Sequence, residues 1–244
     1  LTGADLTGTV LIGANLTDAN LAGIDLSGRD LTGTTLTGAD LTDANLSGQD
    51  LSYMDFSYAN LAGADITGTI LDKTKFHNAN LEGVNLQNAN LRLAEFIDVD
   101  LTKIKNKSLA GSDLTSASFA HSNLSGVNLS DTIISDTNFW KTNLSDQDFT
   151  VIPEVSFEGV SFIESNLSNS NFEGVNLSPK GLYSNVFKNK AYLMHDITQS
   201  SEAETAIKED LFGKSSHILI ISKEVQGNDL AVSYVFFNSF AYAN

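Results

Sequence analysis

Large apolar residues recur at every fifth position from the start of the chain: Leu1, Leu6, Leu11, Leu16, Leu21 and onward to Leu101, twenty-one positions without a miss. After an eight-residue step to Leu109 the spacing of five resumes through Phe149. A second eight-residue step reaches Phe157, and the pattern ends at Leu177. Two positions before each of these central residues the side chain is usually small, as at Ala39, Ala44, Ala59 and Ala79. One position before stands Asp or Asn; Ser or Thr and often Gly follow. A period of five fits neither the 3.6 of a helix nor the 2 of a long strand. Two inward positions spaced by two, then a gap of three, describe a very short extended piece and a turn. Gly, Asn and Asp suit such turns because they tolerate unusual backbone angles or bond the backbone locally. Each pentapeptide is therefore one side of a coil.

The number of sides follows from phenylalanine. Phe56, Phe76 and Phe96 are 20 residues apart, Phe119 follows after 23, Phe139 after 20 and Phe162 after 23. The two steps of 23 are the ones that contain the interruptions, so a coil has four sides and each interruption adds three residues. The polar small-residue sites Thr9, Arg29, Gln49 and Thr69 repeat at the same interval. Thirty-five central positions at four per coil make about nine coils, a column roughly 40 Å long at the spacing of paired strands.

At Ala39-Asp40-Leu41-Thr42-Asp43 and Ala44-Asn45-Leu46-Ser47-Gly48 the chain resembles the pentapeptide-repeat family, whose pattern is A(D/N)Lxx. The resemblance implies a mainly β fold, a right-handed quadrilateral β-helix over residues 1–182, with insertions near 102–108 and 150–156. Arg29, Gln49 and Met54 depart from the pattern at the small-residue site. Residues 183–244 read as a small α/β segment. Ser201-Glu202-Ala203-Glu204 has capping-box form, Ala203, Ala206, Ile207 and Leu211 make a helical stripe, and Gly213 can end it. His217–Val225 and Leu230–Phe237 read as strands joined by Gln226-Gly227-Asn228-Asp229. This segment is expected to cap the solenoid or to form a homodimer contact.

Composition narrows the function. With 244 residues, 30 acidic and 14 basic, the net charge is -16, yet 41% apolar content excludes a disordered polyanion. Zero Cys excludes disulfides, thiolate zinc sites and a cysteine nucleophile. No run of 18 apolar residues is present to span a membrane, and no signal-peptide pattern opens the chain. A start at Leu1 inside a repeat is expected to mark a processed piece of something longer. His77, His121, His195 and His217 lack metal-ligand spacing, and Gly213-Lys214-Ser215 lacks the first glycine of a phosphate loop. No calcium-loop pattern occurs. A column filled with Leu leaves no pocket for catalysis, so neither an enzyme nor a cofactor is expected.

The remaining candidates are surface features. Arg29 is expected to be buried beside Gln49, with Asp30 and Asp50 as partners. Ile97, Trp140 and Ile163 follow central residues on the phenylalanine side, with Tyr58 close by, and suggest a docking strip for the C-terminal segment or a foreign protein. The first insertion holds Lys103, Lys105 and Lys107 on a loop suited to recognition. Eight glycosylation sequons occur, but those at Asn15, Asn45, Asn123, Asn128, Asn143, Asn166 and Asn176 are forced by the repeat. Only Asn106 sits in an insertion, where a sugar could attach if the chain is exported. Residues 1–101 hold 14 acidic and 4 basic side chains, a net of -10.

Those counts support two functional readings. The first is a non-catalytic structural or interaction rod, with a leaning toward the secreted or cell-surface compartment. It presents loops and an apolar strip to a protein partner and makes no direct contact with nucleic acid. The second takes Asp5, Asp25, Asp30, Asp50 and Asp65 as an acidic face. The resemblance then implies a DNA mimic that modulates a type II topoisomerase, as quinolone-resistance members of the family do in the cytoplasm. Ice binding by Ser/Thr rows is the weakest reading, because Asp72, His77, Glu82 and Arg92 interrupt the rows.

Overall fold

The computed structural model describes residues 6, 8–153, 157, 159–162, 164–172 and 175, and two strands beyond them. Isolated parallel bridges join Asn15 to Thr35, Asn20 to Asp40, Asp25 to Asn45 and so on at 20-residue intervals. The interval is 23 where an insertion intervenes, as for Asp100 with Asn123 and Asn138 with Ser161. The chain thus forms a four-sided solenoid. The sides are named here by their central residues. The phenylalanine side carries Leu16, Leu36, Phe56, Phe76, Phe96, Phe119, Phe139 and Phe162. In chain order, the second side starts at Leu21, the third at Leu26 and the fourth at Leu31.

One hydrogen-bond scheme repeats on every side. The residue three after a central residue donates its N–H back to it, as Ala44 does to Leu41 at 3.0 Å, which closes a β-turn. The central N–H donates to the next coil, Leu41 to the Asn60 carbonyl at 2.7 Å, and Asn60 donates back to Ala39 at 2.9 Å. Strands are only one or two residues long because the turn recurs every five. Inside, the column is closely packed: Leu41, Leu46, Leu86, Phe96 and Leu124 have no exposure. Six phenylalanines, from Phe56 to Phe162, stack with centroid separations of 4.9–5.7 Å and interplanar angles of 4–14°. Phe149 and Phe172 form a second, shorter stack on the third side, at 4.3 Å.

Polar residues at the small site are satisfied within the wall. The hydroxyls of Thr34, Thr74, Thr137 and Thr142 donate to central carbonyls of the preceding coil at 2.6–2.9 Å. Gln49 does the same through Nε2, to Leu26 at 2.6 Å. Arg29 differs from the expectation, since it is half-buried rather than buried. A long stem lets its charge reach water, which avoids the cost of burying an ion. Its charge acts on Asp25, while Asp30 and Asp50 are occupied by their own turns.

The first insertion separates two roles that one residue usually combines. Ile104 takes the inward side-chain position at 3% exposure, and Lys105 bonds the coil before through Val84. The carbonyl of Lys107 then accepts the N–H of Asn128 in the coil after. Two successive left-handed residues, Asn106 and Lys107, make the extra corner. In the second insertion Ile152 is likewise buried, at 5%. Both insertions are therefore anchored by an isoleucine and do not simply project.

Beyond the solenoid, strand β1 (Ser216–Gln226) pairs with β2 (Asp229–Asn238) in an antiparallel two-stranded sheet, with an irregularity between Ile220 and Ser222. The helix expected at 201–213 lies outside the described residues.

Candidate interaction surface

The turns decide what each corner of the column presents. Among the described residues, the second residue after each central one has positive φ in all but the insertion turns, a conformation natural for Gly and tolerated by Asn and Asp. Between the second and third sides this position holds Gly23, Asp43, Gly63, Gly83, Gly126, Asp146 and Asn169. Between the third and fourth it holds Gly8, Gly28, Gly48, Gly68, Asn88, Gly111 and Asp131. The two corners that bound the phenylalanine side differ. One carries Tyr53, Lys73, Leu93 and Ser116, the other Tyr58, His121, Lys141 and Glu164, all at φ between 53° and 64°. Among the described residues outside the insertions, every positive-φ residue other than Gly, Asn and Asp lies on these two edges.

Three of these residues are among the exposed large apolar and aromatic side chains; Val10, Ile12, Ile70 and Ile133 are exposed on the fourth side and Val151 in the second insertion. Tyr53 is 69% exposed, Tyr58 66% and Leu93 42%. The Lys73 ammonium donates to the Tyr53 hydroxyl at 2.7 Å and lies 4.6 Å from its ring centroid. Farther along, Trp140 meets the His121 ring edge-on at 4.7 Å, and Lys141 Nζ lies 4.5 Å from the indole. On the same side His77 Nε2 lies 2.6 Å from Glu95.

The expected strip is only partly continuous. Ile97 and Trp140 occupy one row with buried Ala120 between them. Tyr58 stands instead on a corner, with His77 in the coil between it and Ile97. Ile163 lies outside the described residues. Tyr53, Lys73, Leu93, His121 and Lys141 were missed by sequence reasoning. Their signal was present as bulky residues at a position that the code gives to Gly, Asn or Asp.

The lysine candidates have acidic neighbours and the acidic ones serve their own turns. Lys103 sits 3.9 Å from Asp100, Lys105 acts on Asp65, and Lys107 acts on Asp146. Asp25 and Asp65 belong to the third side and Asp30 and Asp50 to the fourth, so the acidic group is divided over two sides. Asp5 lies outside the described residues. Each of these four carboxylates accepts the N–H two residues ahead, at 2.9–3.0 Å. The hydroxyls of Ser27, Thr32, Ser52 and Thr67, together with those N–H groups, hold the four acids below the ordinary carboxylate range. The sequon residues Asn15, Asn45, Asn123, Asn128, Asn143 and Asn166 make the same bond. Asn106 is exposed at φ 57°, while Asn176 lies outside the described residues.

Among the described residues, no three His, Asp or Glu side chains gather as a metal ion would require, and no helix is long and apolar enough to cross a membrane. The sequence profile of the pentapeptide repeats matches in eight copies, over residues 1–38, 30–68, 39–78, 74–105, 112–150 and 150–178. The chain belongs to the pentapeptide-repeat family. Among solved structures of the family, it is similar to HetL, a protein involved in heterocyst differentiation regulation from a Nostoc cyanobacterium. Identity there is 22%, coverage 75% of this chain and 88% of the other, and the TM-score 0.35. QnrB1, a plasmid-mediated fluoroquinolone resistance protein, gives 18% identity, 83% and 97% coverage and a TM-score of 0.34. A pentapeptide-repeat protein of the Arabidopsis thaliana thylakoid lumen gives 27% identity, 55% and 71% coverage and a TM-score of 0.16. No curated protein matches significantly.

Proposed function

We propose that this pentapeptide-repeat protein is a non-catalytic scaffold, a right-handed four-sided rod that engages another protein through its phenylalanine side. The observation that carries this reading is the asymmetry of the corners. A bulky residue at positive φ costs on the order of 1 kcal/mol, and such strain tends to collect where function needs it. Here it collects on the two edges of one side, together with Tyr53, Tyr58 and Leu93. The lysine insertion is a less favoured contact because Asp100, Asp65 and Asp146 lie close enough to offset part of its charge. The C-terminal segment, with its β1–β2 pair, serves in this reading as a cap or a dimer contact.

Photo-crosslinking in the source cells tests the proposal. A crosslinker at Asn78, on an edge of the phenylalanine side, should yield a protein adduct that one at Ala62, on the second side, does not. Equal adducts from both positions, or none from Asn78, would sink it. The topoisomerase reading finds less support, because the aspartates are divided over two sides and committed to turns. A gyrase supercoiling assay keeps it open to test: inhibition abolished by Asp30→Lys and Asp50→Lys would reverse the preference.

A further inference from the structure

The row of Ile97, Ala120 and Trp140 has a shape and a charge that specify more than a surface open to any partner. Trp140 is 37% exposed and held from two directions, by the His121 edge and by Lys141, which itself pairs with Glu164 at 3.8 Å. Ala120 is only 5% exposed, so the row dips between Ile97 and Trp140. Exposed Asp98 stands on one corner beside this row and exposed Asp136 on the other. An apolar notch thus lies between two carboxylates, on a chain whose net charge is -16.

From this we infer that the notch receives a cationic amphipathic helix of a partner protein, an assignment that rests on the interaction reading above. Successive coils rise about 4.8 Å, close to the roughly 5.4 Å of one helical turn. Apolar residues at i, i+4 and i+7 of a helix laid along the column therefore meet Trp140, the Ala120 dip and Ile97 in turn. Lys or Arg on the flanks of that helix meets Asp98 and Asp136, which favours a basic helix over an acidic one.

Trp140 is the sole tryptophan, so its fluorescence reports on the notch alone. The probe is a synthetic Leu/Lys peptide of about 18 residues, patterned as an amphipathic helix. It should shift Trp140 emission to the blue, and its affinity should fall at least about fivefold when salt is raised from about 50 to about 500 mM. Changing both Asp98→Asn and Asp136→Asn, which keeps the shape of both turns, should weaken binding about threefold with an unchanged urea midpoint. Asparagine is already accommodated at the equivalent turn position of Asn78. Several results overturn the inference: no shift, equal binding of a Leu/Glu peptide or of a scrambled Leu/Lys peptide, binding unaltered in the double variant, or a larger shift with anionic phospholipid vesicles than with peptide. If the Asn78 crosslinker captures a partner while the peptide fails to bind, the helix assignment falls and the interaction reading stands. Loss of the Asn78 adduct removes both.

Discussion

The corner between the second and third sides and the corner between the fourth and phenylalanine sides have the same backbone and opposite side chains. At the first, Gly23, Asp43, Gly63 and Gly83 meet positive φ with residues that accept it; at the second, Gly13, Gly33, Asp136 and Gly159 do so toward the ends, but Tyr53, Lys73 and Leu93 in the middle coils meet it with residues that do not. Gly63 shows what the quiet corner gains. A Cβ there would collide with the Asp43 carboxylate of the coil before, so Asp43 fills the space that Gly63 leaves. The edges of the phenylalanine side repeat this packing where they carry Asp and Gly, at Asp18 with Gly38 and Asp136 with Gly159, whereas their Tyr53, Tyr58 and Leu93 point into water. In the proposed reading, identical turns therefore serve stability on one side of the rod and presentation on another.

The largest expected effect lies beneath the presenting side. Phe96, stacked between Phe76 and Phe119 without exposure, should cost about 3–5 kcal/mol as Phe96→Ala, read from the urea midpoint. The same change should also weaken Asn78 crosslinking by loosening the platform. A loss below about 1 kcal/mol would mean that the stack supports nothing above it. Next comes Gly63→Ala, where positive φ and the Asp43 contact together should cost about 1–2 kcal/mol without touching partner capture.

The opposite sign is expected at the presenting corners. Tyr58→Gly and Leu93→Gly should leave stability unchanged or raise it by up to about 1 kcal/mol, since glycine relieves the turn, yet reduce partner capture. Destabilisation comparable to Gly63→Ala would show that these side chains hold the fold, and the comparison between corners would collapse.

The smallest effect concerns pH. Asp25, Asp30, Asp40, Asp50 and Asp65 titrate below their ordinary range because hydroxyl and N–H groups in their own turns favour the charged form. Their contribution is fully present above the unfolded carboxyl value of about 3.9 and is lost as pH falls through the lower folded values. Urea midpoints should therefore decline below about pH 4. Replacing Asp30 and Asp50 by Asn, which fills the same turns elsewhere, should flatten that decline. An unchanged acid limb would assign it to other carboxylates.

The division between what was legible and what was not runs through single residues. Asp25 reads correctly as a turn residue because its partner, Ser27, is two positions away. Arg29 was misread as buried because a position in the code does not say how far a long stem can bend. The lysines of 102–108 looked free in sequence. Two of the acids that face them, Asp65 and Asp146, lie about 40 residues away along the chain and come near only when the coils stack.

The order of apolar positions alone determined the period, the four sides, the stacking of Phe56 through Phe162 and the three-residue size of each insertion. All of these follow from a local rule, one inward residue per turn, applied again and again. Tertiary structure decided how outward residues meet across coils, as Lys73 meets Tyr53 and Trp140 meets His121, and which turns are strained. Those facts depend on coils 20 or 23 residues apart lying in register, which no five-residue window contains.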